Sequence, residues 1–196
     1  MPDSNTHSKT TPPKIAYRQA AAEDIENMKA LVFEHGPNDW NYLPREEVSA
    51  HLDGIRDGTS HGYLAVMEGR LIGLVTYVVG DAFSRYEQAA LDGQPHGWIV
   101  EGVVHREYVS QGIGSRLADQ CLKALREAGI PRVYAERHEE NAASAATMQK
   151  AGFSEVDTFY DPARRQSGSR RTTVCRLEFA RGNEPSRESR PNDGRQ

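Results

Sequence analysis

The sequence is short of cysteine and of long apolar runs. Its 196 residues include two cysteines, Cys121 and Cys175, and neither has a CxxC spacing or the clustered histidines of a metal site. We therefore expect two buried, reduced thiols and no metal. No apolar run approaches the roughly 20 residues that cross a bilayer, and no signal-peptide core is visible. The expected location is cytoplasmic, with no membrane partner.

Basic residues are outnumbered by acidic ones. Lysine and arginine number 24 against 28 aspartates and glutamates, so the net charge is −4 with neutral histidines. No basic stripe indicates nucleic acid as a partner. The one local basic cluster, residues 164–171 (RRQSGSRR), we interpret as a solvated loop rather than a phosphate site, because runs of charge usually lie in water.

Both ends of the chain lack apolar periodicity. Residues 1–13 and 182–196 contain too few apolar side chains to offset the entropy of ordering, so we expect two disordered tails. The part between, residues 14–181, is long enough to build one hydrophobic core. The sequence therefore predicts a single domain.

Apolar periodicity within this domain predicts strands and helices in the order βααβββαβαββ. The strand at 98–104 (WIVEGVV) is nearly all apolar, which is typical of a strand covered on both faces. Before it lies a long polar loop, 81–97, of a length that is often functional. The strand–helix–strand connections predict parallel pairing within a mixed sheet that has helices on its faces.

The most informative stretch is 103–117 (VVHREYVSQGIGSRL). An apolar strand leads through a short polar turn to Gly112-x-Gly114 and an amphipathic helix. The first N–H groups of a helix are unpaired and partly positive, and glycine lets an anion approach the backbone, so the diphosphate of a soluble cofactor would fit. The alternative is an ordinary tight turn. Neither nucleotide motif is present, because no Gly-Lys-Ser/Thr follows and Leu117 occupies the third glycine position of GxGxxG.

This stretch resembles motif A of the GNAT superfamily of acetyl-CoA-dependent N-acetyltransferases. The motif is an apolar strand, a polar turn and [Gln/Arg]-x-x-Gly-x-[Gly/Ala] before a helix. Gly112 and Gly114 match it, whereas Val109 stands in place of Gln or Arg.

A second segment, 141–153 (NAASAATMQKAGF), is similar to motif B of the same family, N-x-x-A-x-x-L-Y-x-x-x-G-F. Asn141, Gly152 and Phe153 match at the right spacing. Ser144 replaces the small alanine, and Met148 stands where the family often has tyrosine. The order of elements from 14 to 179 resembles the family as well.

The resemblance implies an α/β (α+β) fold with a mixed, centrally parallel β-sheet of about seven strands flanked by about four helices. It implies acetyl-CoA as co-substrate, with its pantetheine arm between the strands at 98–104 and 132–136, and it suggests a homodimer. The implied cofactor-binding residues are Val103, Val104, Val109, Ser110, Gln111, Gly112, Ile113, Gly114, Ser115 and Asn141.

Glu101 is the leading candidate for the catalytic base. It is one carboxylate in an otherwise apolar strand, beside Gly102, where a bulge would fit. Burial there would raise the pKa of its carboxyl, which suits a base that takes a proton from an amine. The alternative is a structural glutamate paired with an arginine. Glu136 and His138 are second candidates.

The proton donor to the departing thiolate is open, because Met148 cannot donate a proton. Another group or water would serve, or the thiolate would leave unaided, since a thiol has a pKa near 8.5. The leading hypothesis is acetylation of a small-molecule amine by direct attack in a ternary complex, with an acceptor pocket shaped by 81–97 and 39–42. The alternatives are a non-catalytic acetyl-CoA-binding module, suggested by Met148 and Val109, and an enzyme acting on a protein, peptide or aminoacyl-tRNA.

Overall fold

The structure is a computed structural model that describes residues 14–87 and 93–179. The predicted disordered tails, 1–13 and 182–196, and part of the 81–97 loop lie outside the described residues. The predicted order of elements is confirmed. The described residues form seven strands and four α-helices: β1 (Ile15–Gln19), α1 (Ile25–His35), α2 (Arg45–Asp53), β2 (His61–Met67), β3 (Arg70–Gly80), β4 (His96–Val104), α3 (Ile113–Glu127), β5 (Arg132–His138), α4 (Ala142–Lys150), β6 (Ser154–Tyr160) and β7 (Arg171–Glu178).

All seven strands belong to one sheet with the order β1-β2-β3-β4-β5-β7-β6. The predicted mixed sheet is confirmed, but only the central β4–β5 pair is parallel and the other pairs are antiparallel. The parallel pair is the one that needs a crossover, and α3 supplies it between β4 and β5. None of the helices in the described ranges is long and apolar enough to span a membrane.

Helices cover both faces of the sheet. On one face, α3 buries the stripe Ile113, Leu117, Cys121 and Leu125 against β2 and β3. On the other face, α1 and α2 pack on a second cluster that includes Leu64, Leu74 and Val103. This explains the apolar character of β3 and β4, because a strand covered on both sides cannot alternate with polar residues. Cys121 and Cys175 are buried and free, as predicted.

The central strands part soon after they meet. The β4–β5 pairing comprises three residue pairs and ends at Ile99 opposite Ala135, although β4 continues to Val104 and β5 to His138. On its other edge, β4 has the bulge expected beside Gly102, since Thr76 of β3 stands opposite both Val100 and Glu101. A widening gap and a bulge therefore meet at one point of the sheet.

The described part of the 81–97 loop is anchored on the sheet. The ring of Phe83 is 5% exposed and stacks on Tyr134 with ring centroids 4.8 Å apart. Glu87 accepts a hydrogen bond from the Tyr134 hydroxyl at 2.7 Å and lies 2.7 Å from Nε of Arg132. Phe83 and Tyr86 therefore belong to a small core cluster of their own, and neither lines the cavity described below.

Candidate active site

A cavity of about 730 Å³ lies at the gap between β4 and β5. One wall is formed by the loop before α3, the first turn of α3 and one side of α4. The opposite wall is formed by the segment 38–48, by His51 of α2, and by Arg164 and Arg165 in the loop between β6 and β7. The floor consists of β4 residues that include Glu101. The volume is in the range of small-molecule and cofactor sites.

The loop before α3 has the backbone geometry of an anion cradle. Ser110 and Gly112 have φ of 63° and 76°, in the left-handed region that favours glycine. Gly112 is the N-cap, and its carbonyl accepts the first helical hydrogen bond from the N–H of Arg116 at 3.0 Å. The N–H groups of residues 113–115 have no partner among the described residues, as expected at a helix start. A Cβ atom at Gly112 would meet nothing within 4 Å, so the space above the loop is open.

Most of the predicted cofactor residues line this cavity, and three do not. Those that line it are Val104, Val109, Ser110, Gly112, Ile113, Gly114 and Ser115. Gln111 is exposed beside the cavity. The side chain of Val103 is buried in the α1–α2 cluster. The Oδ1 atom of Asn141 caps α4 by accepting a hydrogen bond from the N–H of Ser144 at 3.0 Å.

Glu101 lies on the cavity floor, where burial raises the pKa of its carboxyl to about 7. The positive charge of Arg164 opposes this rise but does not cancel it. Within residues 14–87 and 93–179, the carboxylate has no hydrogen-bond or ion-pair partner. The alternative role for Glu101, a structural glutamate paired with an arginine, does not describe it. That role describes Glu136, whose Oε2 lies 2.7 Å from Nη1 of Arg164.

The sequence did not reveal a series of hydrogen-bonded polar groups that begins at the backbone N–H of Glu101. The N–H of Glu101 donates to Oγ1 of Thr76 at 3.1 Å, and the same oxygen lies 2.8 Å from Nε2 of His51. The other nitrogen of His51 lies 3.1 Å from Oγ of Ser60. Burial lowers the pKa of His51 to about 4, so the ring is neutral at pH 7. The available signal was His51 itself, a polar residue in the apolar stripe formed by Val48, Leu52 and Ile55.

The two second candidates for the base have structural partners. Glu136 lines the cavity, but its carboxylate is already engaged in an ion pair with Arg164. His138 is 1% exposed and does not line the cavity. Its Nε2–H donates to the carbonyl of Ser167 at 3.0 Å, and its Nδ1 accepts from the N–H of Glu140 at 3.1 Å.

The basic cluster at 164–171 is not simply a solvated loop, so that prediction is wrong for its first two residues. Arg164 is half-buried in its ion pair with Glu136, and Arg165 is 6% exposed. Nε of Arg165 donates to Oγ1 of Thr172 at 2.8 Å, and Nη1 donates to the carbonyl of Trp40 at 3.3 Å. Glu136 and Trp40 lie 28 and 125 residues away in the chain from the arginines that they contact, so local charge density could not indicate them.

Met148 lines the cavity at the position where the family often has tyrosine. Two tyrosines, Tyr42 and Tyr108, line it elsewhere. Within the described ranges, no three His, Cys, Asp or Glu side chains are grouped closely enough to hold a metal ion.

Comparison with known proteins places this geometry in a family. Residues 24–153 match the family model of the acetyltransferase (GNAT) family. No curated protein sequence matches the chain.

Solved structures with the same fold share little sequence. Arabidopsis thaliana NAA60 in complex with acetyl-CoA has a TM-score of 0.69 and 15% identity, over 85% of this chain and 99% of that one. The ribosomal-protein-S18-alanine N-acetyltransferase from Escherichia coli has a TM-score of 0.65 and 15% identity, over 87% and 97%. The IAA acetyltransferase from Bacillus cereus has a TM-score of 0.61 and 14% identity, over 85% and 100%.

The matched segment includes the glycine loop, the separating strands and the helix capped by Asn141. The chain therefore belongs to the GNAT family of acetyltransferases, enzymes that transfer an acetyl group from acetyl-CoA to an amine.

Proposed function

We propose that this protein acetylates the amine of a small molecule by direct attack on acetyl-CoA in a ternary complex. The observation that carries the proposal is Glu101, a partly buried carboxylate without a protein partner in the described ranges. It lies in the same cavity as the open start of α3. One cavity thus holds a place for the donor's phosphates and a base for the acceptor.

The glycine loop supplies the donor site in this proposal. The N–H groups of residues 113–115 would bind the diphosphate, with Val109, Ser110, Gln111, Gly112 and Ser115 around it. The pantetheine arm would lie in the gap beyond Ile99, where β4 has no strand on the β5 side. A backbone N–H near Val103 and Val104 would then stabilise the oxyanion of the tetrahedral intermediate, a contribution of roughly 3 kcal/mol.

Glu101 removes the proton that the amine must lose, directly or through one water molecule. A base is most effective when its pKa is near the working pH, and burial raises the pKa of Glu101 to about 7. The N–H of Glu101 is held by Thr76, so the backbone of the base is fixed at the bulge. The thiolate of the leaving group is a tolerable product at neutral pH, because thiols have a pKa near 8.5.

The acceptor end of the cavity favours a small molecule. Segment 38–44 on one side and the β6–β7 loop on the other are tied together by a hydrogen bond from the Ser167 hydroxyl to the carbonyl of Asp39. Arg165 makes a second tie to the carbonyl of Trp40, whose ring contacts His138 with centroids 4.8 Å apart. These contacts hold the two segments together, and we expect them to disfavour an extended peptide chain between the segments.

Two other functions remain as competing proposals. A peptide or protein amine is suggested by neighbours such as Arabidopsis thaliana Naa50, solved with the bisubstrate analogue CoA-Ac-MVNAL. A non-catalytic acetyl-CoA-binding module is suggested by Met148 at the tyrosine position.

The test is a thiol-release assay with acetyl-CoA against aminoglycosides, amino acids, polyamines and peptides. We expect CoA release with one class of small amine. Release with peptides alone would favour the peptide acceptor. If no amine of the panel leads to CoA release, although calorimetry shows tight acetyl-CoA binding, the non-catalytic binding module is favoured.

A further inference from the structure

We propose that Arg165 binds a carboxylate of the acceptor, so that the substrate is a small amino acid that carries a carboxylate close to its reacting amine. The inference rests on the proposed function and names the substrate class of the same site.

Arg165 is a buried cation that has no ion-pair partner within the described ranges. Its side chain lines the cavity and is 6% exposed as a residue, yet no carboxylate of the described ranges lies within 4 Å of it. Its neighbour Arg164 differs, since Glu136 lies at 2.7 Å and Asp161 at 3.9 Å. Burial of an unpaired charge is costly, so a guanidinium kept in this state has a ligand as its natural partner.

The hydrogen bonds of Arg165 fix its position and leave donors for a ligand. Nε is used by Thr172 and one Nη1–H by the carbonyl of Trp40. The Nη2 group has no partner within residues 14–87 and 93–179. Asp161 is connected only indirectly, because Thr172 donates its hydroxyl hydrogen to Oδ2 of Asp161 at 2.8 Å. Burial and the adjacent Arg164 lower the pKa of Arg165, and the carboxylates of Glu136 and Asp161, neither of them ion-paired with it, offset this only in part.

The charge and shape of Arg165 fit a carboxylate. Glu136 is already paired with Arg164, so Arg165 is the cavity arginine with a charge left for an anion. A carboxylate has one charge and two oxygens in a plane, which matches the planar guanidinium. Glu101 provides negative charge for the amine, and Arg165 provides positive charge for the acid. A zwitterionic amino acid complements both.

The position of Arg165 also limits the size of the acceptor. The hydrogen bond to Trp40 makes the arginine part of the contact between segment 38–44 and the β6–β7 loop. A carboxylate bound there lies beside this contact, which leaves less room for a peptide chain than for a free amino acid.

The experiment measures kcat/KM for matched acceptors: the proteinogenic amino acids, their amides, their decarboxylated amines, and short peptides that begin with Asp or Glu. We expect at least one amino acid to exceed its own amide and amine by about 100-fold or more, because the uncompensated guanidinium rejects a neutral group. In Arg165→Gln we expect this preference to disappear through a higher KM for the acid. Arg165→Lys should retain part of the preference.

Arg170→Gln is the matched control, because Arg170 is exposed in the same loop and does not line the cavity. Equal rates for acids and amides, an unchanged preference in Arg165→Gln, or turnover of acidic peptides alone would overturn the carboxylate site while leaving the acetyltransferase proposal intact. If no amine is turned over, the acetyltransferase proposal fails instead. Calorimetry of N-acetyl amino acids against their amides, with CoA present, then measures the Arg165 site directly, and equal affinities would overturn it.

Discussion

The backbone N–H of Glu101 donates a hydrogen bond to the hydroxyl oxygen of Thr76, 3.1 Å away across the bulge between β3 and β4. Thr76 is fully buried, and its hydroxyl also contacts His51. One hydroxyl thus fixes the backbone of the proposed base and a neutral histidine in the cavity wall. The bulge leaves this N–H facing a side chain rather than a strand partner, which makes the hydroxyl necessary.

Replacing Thr76 with valine keeps the shape of the side chain and removes the hydroxyl. A buried N–H without an acceptor costs about 1–3 kcal/mol, and part of that cost falls on the position of Glu101. We expect kcat to drop about tenfold with acetyl-CoA affinity unchanged, while Thr76→Ser keeps wild-type kcat. A valine variant with normal kcat and a normal pH profile would contradict the positioning role.

Glu101→Gln tests the base itself. We expect kcat to fall by about 100-fold or more, the usual size of a general-base effect, with acetyl-CoA binding retained. In the wild type, kcat/KM should rise with pH up to about 7, where the carboxyl loses its proton, and this limb should vanish in the variant. If Glu136→Gln instead abolishes this rise of kcat/KM with pH, the base is Glu136.

The Glu101 carboxyl also lowers the free energy of unfolding at neutral pH. It ionises at an ordinary pKa of 4.5 in the unfolded chain and at about 7 in the folded protein. Between these values the folded state holds a proton that the unfolded state has lost, so the free energy of unfolding falls as pH rises. The full difference is about 3 kcal/mol. Urea denaturation should show Glu101→Gln gaining up to that amount over the wild type between pH 4 and pH 8. A gain that does not change with pH would contradict the buried carboxyl.

Gly112→Glu tests the phosphate site. A carboxylate on this residue would lie where the diphosphate is proposed to bind, so acetyl-CoA binding measured by calorimetry should be lost. Gly129→Glu is the matched control, since its φ of 75° is close to the 76° of Gly112, its surroundings are also open, and it does not line the cavity. Both variants carry the same backbone penalty of about 1 kcal/mol, and only the first should lose the donor. Wild-type affinity in Gly112→Glu would remove the site.

The two tyrosines of the cavity test whether the leaving thiolate needs an acid. Tyr108 belongs to the turn next to the glycine loop, whereas Tyr42 lies in the opposite wall. We expect Tyr108→Phe to lower kcat about tenfold if its hydroxyl supplies the proton, and Tyr42→Phe to leave kcat unchanged. Normal kcat in both variants would mean that the thiolate leaves unaided.

The sequence predicted the order of elements because their periodicities are local. Glu101 was visible for the same reason, as a charge inside an apolar strand. The contact between Arg165 and the carbonyl of Trp40 could not be predicted, because the two residues are 125 apart in the chain and meet only through the fold. The packing of Phe83 on Tyr134 could not be predicted either, since this stacking has no local signature in the sequence.

The three-pair junction of β4 and β5 has a mechanical consequence. Strands β1–β4 and strands β5–β7 are two half-sheets that share a narrow hydrogen-bonded hinge. We expect a molecule bound in the gap to contact both half-sheets and to restrain their relative motion. A ligand that binds only the folded state also raises its stability by mass action. The concentration of the donor should therefore set the thermal stability of the protein as well as its rate.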